Sequence, residues 1–255
     1  MKRRIIDFHT HPFLSEPNNL CRYKNVGDLQ TAQAKFQDAG VENICGSVIR
    51  SIAEPTWADM RALNDEALKI RDKFPNFYIP GFHIHPKFVD ESIQEIARMV
   101  GEGVKFVGEL VPYFYKWSYN DDGYKEILQA IASYNLPVSF HTNPNEFDAI
   151  EKLVAAFPSI TFIAAHPGEY PTYAQHIQLL KKYDNYYLDL SGSGIFRFGM
   201  LRYGIDQVGA HKFLYGTDYP ICNPFMYVGA IEQDYTLTEE EKSAIFFDNA
   251  KRILK

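Results

Sequence analysis

Short β-branched or aromatic runs alternate with amphipathic stretches eight times along the chain, and this alternation restricts the fold more than any other property. Such runs, bounded by turn residues, favour strands, and they predict strands at 4–8, 43–49, 78–83, 104–109, 137–141, 161–165, 186–190 and 212–216. Helices are predicted between them at 28–39, 57–73, 91–99, 124–134, 146–157, 173–183 and 199–208, where apolar residues recur at helical spacing. A last helical stretch, 238–254, opens on Thr-x-Glu-Glu, a helix-start signal. Eight β-then-α units of about 30 residues suit a closed barrel, whereas an open doubly wound sheet has fewer strands and a glycine-rich phosphate loop. No G-x-G-x-x-G occurs. The expectation is one α/β domain over residues 1–255, a distorted (β/α)8 barrel of the TIM type, with its site at the carboxyl ends of the strands.

Composition narrows the partners. A hydrophobic share of 46% is ample for a large core, and 26 basic against 32 acidic residues leave a net charge of -6. Nucleic acid and anionic membrane surfaces need clustered Lys and Arg, so neither is expected, and a small molecule is. Self-association as a homodimer stays open. Cys21, Cys45 and Cys222 are far apart and form no C-x-x-C, which fits a reducing, cytoplasmic setting. No apolar run reaches the length of a membrane span, and no signal-peptide pattern opens the chain.

The polar residues at the predicted strand ends are of one chemical kind. His9 and His11 follow strand one at a spacing that points both rings to one face. Glu109 follows strand four, His141 strand five, His166 strand six and Asp218 strand eight. Imidazoles and carboxylates are ligands for a borderline divalent cation, Zn²⁺ first, with Mn²⁺, Fe²⁺, Co²⁺ or Ni²⁺ as alternatives.

This ordered set resembles the amidohydrolase superfamily, whose members place H-x-H after strand one, Lys or Glu after strand four, His after strands five and six, and Asp after strand eight. The closing Asn249-Ala250-Lys251-Arg252-Ile253-Leu254 is similar to the N-A-x-R-L/I-L signature of the amidohydrolase-related branch. The resemblance implies that His9, His11 and Asp218 hold a buried metal. It further implies that His141 and His166 hold a second ion, or that His141 joins the first and His166 faces the substrate. Lys105, four residues before Glu109 and about 13 Å away at strand rise, is out of reach of such a site. Glu109, in Val107-Gly108-Glu109-Leu110, is similar to the bridging carboxylate of TatD-type relatives. Two ions are therefore favoured over one.

The implied chemistry is hydrolysis of an amide, lactone or other ester of a small molecule by a metal-activated water. Asp218 and His166 are the catalytic candidates: Asp218 shuttles a proton to the leaving group, and His166 or a metal polarises the scissile carbonyl. A metal-dependent decarboxylase of the same branch, similar to aminocarboxymuconate semialdehyde decarboxylase, is the alternative. A TatD-like nuclease ranks below both, because no cationic rim is evident. Tyr113, in the aromatic run to Tyr119, and Asn143 are substrate-binding candidates, as is His83 of a second H-x-H completed by His85, one pointing into the pocket and the other packed. Glu169, Ser191, Arg197 and Tyr219 are pocket candidates by position, Asp7 is a candidate to orient a ligand ring, and His176 and His211 fit surface or packing roles.

Overall fold

The protein is described by a computed structural model covering residues 3–21, 23 and 28–255. Its eight strands form one parallel sheet in sequence order: β1 Ile5–Thr10, β2 Val41–Gly46, β3 Tyr78–Phe82, β4 Phe106–Leu110, β5 Val138–His141, β6 Phe162–Ala165, β7 Tyr186–Asp189 and β8 Phe213–Leu214. The last strand returns to the first. Phe8 N donates to Tyr215 O at 2.8 Å, Asp218 N to His9 O at 2.8 Å and His11 N to Tyr219 O at 2.6 Å, so the sheet is a nearly closed TIM-type barrel.

The helices between strands are α1 Leu29–Ala39, α2 Trp57–Lys73, α3 Val89–Gly101, α4 Pro112–Tyr115, α5 Asp122–Ser133, α6 Phe147–Ala156, α7 Tyr170–Lys182 and α8 Met200–Val208. After β8 follow α9 Pro224–Glu232, α10 Glu239–Ser243, a π-helical stretch Ala244–Asp248 and α11 Asn249–Ile253. Local chemistry sets several ends. Asp28 accepts from Thr31 N to start α1, and Gly40 ends it at φ 99°, a left-handed conformation suited to glycine. Thr238 and Glu241 form a reciprocal capping box at α10, the start anticipated from Thr-x-x-Glu.

Two bodies of core support the barrel. Rings of Phe8 on β1 and Phe106 on β4 meet at 5.4 Å although these strands are not neighbours, which places them across the interior. With Ile6, Cys45, Ile163 and Leu214 they fill that interior, and Phe247, Ala250 and Leu254 pack against it from the C-terminal segment. A larger cluster packs the strands against the surrounding helices, for example Ile44, Ile70, Ile96, Ile127 and Leu188. The polar centre thus stands above a dry floor.

Two boundaries differ from expectation for physical reasons. β8 keeps two residues instead of five because Tyr215 N bonds Ile245 O in the π-helical stretch and Asp218 takes φ 62°. The stretch 238–254 is not one helix but α10, the π-helical stretch and α11. No helix among the described residues is long and apolar enough to cross a membrane.

Candidate metal centre

His9, next to last in β1, and His11, just beyond it, bring their Nε2 atoms within 3.1 Å, as the two-residue strand period requires. Their outer nitrogens are committed. His11 Nδ1 lies 3.0 Å from Ser47 O, and a carbonyl only accepts, so Nδ1 carries a proton and Nε2 is the nitrogen left to serve a cation. His9 Nδ1 likewise faces Asp189 Oδ2 at 2.9 Å. Both Nε2 atoms point inward.

Two carboxylates complete a cage around that point. Asp218 Oδ1 lies 3.6 Å from His9 Nε2 and 3.4 Å from His11 Nε2. Glu109 Oε2 lies 3.4 Å and 3.3 Å from the same atoms. Donors each about 2.0–2.1 Å from one tetrahedral zinc lie about 3.3 Å apart. The two histidines with either carboxylate therefore suit one such ion in both chemistry and spacing.

Glu109 also serves the other side. Its Oε1 lies 3.1 Å from His141 Nδ1 and 3.6 Å from His166 Nε2. The four rings form a continuous chain, with centroids 4.9 Å apart for His11 and His9, 5.0 Å for His9 and His166, and 4.7 Å for His166 and His141. Groups able to hold a metal are His9, His11 and Asp218, and His9, Glu109 and His166.

Electrostatics show what the pocket lacks. Burial works against a charged His9, yet Asp189 and Glu109 outweigh it and raise its pKa well above the ordinary value. The same contest raises His11 to about 9, with Asp218 and Glu109 overcoming desolvation. Glu109, buried and so pushed upward by desolvation, is pulled well below the carboxylate range by His9, His11 and His141. Buried carboxylates here demand positive charge, which protons or a divalent cation can supply. His166 differs: burial dominates and lowers its pKa, so the ring is held neutral.

The backbone is bent to deliver these groups. His166 and Asp218 take φ 70° and 62°, conformations that cost a non-glycine residue about 1–3 kcal/mol and persist only where surroundings enforce them. Beside His166, Thr142 Oγ1 donates to the preceding Ala165 O at 2.5 Å. Gly108, at φ 98°, lets β4 approach β5: a Cβ there would lie 2.0 Å from Ser139 O. A cavity of about 710 Å³, lined by His141, His166, Asp218, Phe196, Ile221 and Met226 among others, opens over the centre. Its size suits a small molecule.

All six expected ligands thus converge, and Lys105 is exposed just ahead of β4, at the end away from Glu109. The outlying candidates divide. Tyr113, half-exposed, sets its ring edge against His141 at 4.9 Å, on the rim of the centre. Asn143 spends its amide on Glu146 at 2.8 Å and caps the approach to α6 rather than lining the cavity. His83 and His85 are both buried. His85 is saturated by Tyr115 O and Lys87 N, while His83 Nε2 donates to Val48 O at 2.8 Å and its Nδ1 has no partner. Glu169 and Arg197 pair at the cavity rim at 3.1 Å. Tyr219 packs on Phe36, His176 is buried against Tyr186, and His211 is exposed.

One assignment is corrected. Asp7 holds no ligand ring: its carboxylate accepts from Thr217 N at 3.0 Å, Thr217 Oγ1 at 2.6 Å and His9 N at 3.3 Å, fastening the turn that carries Asp218. The ring of His9 is oriented by Asp189, on β7, which the sequence reading passed over. Its signal was a fully polar residue at a strand end, in Tyr187-Leu188-Asp189-Leu190-Ser191, that no turn requires.

A protein-family model described as Amidohydrolase matches residues 6–255. No curated protein sequence matches the chain. Among solved structures, 2,6-dihydroxybenzoate decarboxylase from Rhizobium is similar at 17% identity and a TM-score of 0.74, covering 99% of this chain and 98% of that one. A dihydroxybenzoic acid decarboxylase from Polaromonas sp. JS666, with bound manganese and the inhibitor 2-nitroresorcinol, is similar at 15% and 0.72, covering 99% and 97%. A probable 2-pyrone-4,6-dicarboxylic acid hydrolase from Acinetobacter baumannii is similar at 15% and 0.71, covering 100% and 99%. At these identities the likeness establishes a shared barrel.

Proposed function

The chain belongs to the amidohydrolase family, and on that premise we propose that it is a metal-dependent hydrolase of a small amide, lactone or other ester. The observation that carries this reading is the carboxylate of Glu109, whose two oxygens each face a separate pair of imidazoles. His9, His11 and Asp218 would hold one divalent cation and His141 with His166 a second, Glu109 being shared; Zn²⁺ suits these donors. Such ions supply Lewis acidity and lower the pKa of a water that reaches them.

The chain's own groups do the rest. Asp218, at the border between the cage and the cavity, accepts a proton from the attacking water and returns it to the leaving group. Asp7 keeps Asp218 in place by holding Thr217 through both carboxylate oxygens. Tyr113 and the apolar Phe196, Ile221 and Met226 wall the substrate side, which favours a substrate with an apolar flank.

A decarboxylase is the second reading, supported by the decarboxylases among the similar structures. It asks for one ion and leaves Glu109 without a bridging part. Metal analysis of the purified protein, with diffraction at the metal edge, separates the two. Two ions per chain in the wild type, falling to one or none in Glu109→Gln, support the hydrolase; a single ion unaffected by Glu109→Gln, with turnover of an aromatic carboxylate and none of esters, lactones or amides, rejects it.

A further inference from the structure

We infer that Asp189 and Ser191 form a positioning relay that fixes the tautomer and orientation of His166, turning its Nε2 lone pair toward Glu109. The inference deepens the two-cation reading and rests on it for its meaning, though not for its test.

Proton counting carries the argument. Ser191 Oγ has one proton and three close partners: Asp189 Oδ1, His9 Nδ1 at 3.0 Å and His166 Nδ1 at 3.0 Å. A carboxylate only accepts, so the hydroxyl proton goes to Asp189, and Oγ must act as acceptor toward the imidazoles. His166 Nδ1 is then the donor to Oγ, which leaves Nε2, 3.6 Å from Glu109 Oε1, as the nitrogen that can offer a lone pair. Ser191 N also donates to Asp189 Oδ1 at 2.9 Å, so the backbone that carries the hydroxyl is anchored on the same carboxylate.

A second observation comes from the next residue. Gly192 takes φ 67°, and a Cβ on it would lie 2.4 Å from His166 Nδ1, so the ring lies directly on the backbone there. Its carbonyl accepts from Tyr227 Oη, which holds that backbone still. Asp189, fully buried, thus orients one imidazole on each side of Glu109: His9 directly and His166 through the hydroxyl. Strand alternation supplies the spacing, because Asp189 and Ser191 leave the end of β7 on the same side. Neither touches the cavity's substrate region as a reacting group; both act through the histidines.

The test uses protein labelled with 15N-histidine, in which long-range proton–nitrogen spectra report the imidazole tautomer, the His166 signals being assigned by their loss in His166→Gln. Wild type should show His166 protonated on Nδ1; Ser191→Ala should shift it toward the Nε2 form, and Ser191→Thr, which keeps the hydroxyl, should restore it. Zn²⁺ titration of the same proteins should show one of the two ions of Ser191→Ala reduced about 10–100-fold in affinity, the other much less. An unchanged His166 tautomer in Ser191→Ala, or equal weakening of both ions, overturns the relay. If the wild type takes up only one ion, the two-cation reading falls, while the tautomer spectra still decide the relay alone.

Discussion

His11 expresses the demand of the centre most directly. Asp218 and Glu109 hold its pKa near 9 in the metal-free protein, against desolvation, so the ring is protonated at neutral pH, and a cation must displace that proton to use Nε2. Affinity therefore rises with pH through neutrality and levels only near pH 9, by about tenfold per unit for each proton released. An unperturbed histidine would level about two units lower. Chelator-buffered Co²⁺ or Mn²⁺ binding across this range checks it; flat affinity from about pH 7 upward would mean that the carboxylates do not act on His11 as the distances imply. At this scale the convergent residues were legible because each is a polar residue at the end of an apolar run, as in Phe140-His141 and Ala165-His166. Asp189 was not, since nothing in a linear string says that a carboxylate on β7 meets an imidazole 180 positions away.

Elements were legible where period and cap agree. α2 runs over Trp57–Lys73 as predicted, with Thr56 and Asp59 capping each other. α9 was not foreseen, because Pro224-Phe225-Met226-Tyr227-Val228 is apolar on every face and shows no helical period. Nor was α4, a single turn begun by Pro112. Junctions between elements depend on buried polar contacts. Lys212, just before β8, buries its ammonium to donate to Tyr183 O at 2.9 Å, Asp184 O at 3.0 Å and Tyr186 O at 3.3 Å, tying the end of α7 to the start of β7. Lys212→Met keeps the apolar stem and strands three carbonyls. A loss of about 1–3 kcal/mol is expected in urea unfolding, with metal content unchanged; wild-type stability would show that these carbonyls find water instead.

At the scale of the whole molecule, the centre is a cluster of buried carboxylates whose charge neighbouring imidazoles balance when no cation is bound. Glu109, Asp189 and Asp218 share one small buried volume joined to strands one, four, seven and eight. A divalent cation held by this assembled site and not by the unfolded chain would stabilise the fold, so stripping it should lower the melting temperature. The expected loss is about 2.7 kcal/mol for an ion present at a hundred times its dissociation constant. Calorimetry before and after chelation, with Zn²⁺ restored, checks this, and an unmoved transition would sever the ion from the fold. The sequence by itself determined the barrel and which polar residues stand at the carboxyl ends of its strands, because strand and helix periods are local properties and the reactive end of each strand is set by chain direction. Only the tertiary structure decided which carboxylate orients which imidazole, that Asp7 serves Thr217 and Asp189 serves His9, and that Glu109 faces both pairs of rings. Those relations join residues far apart in the chain, and they come into being only when the sheet closes and β7, β8 and β1 stand side by side.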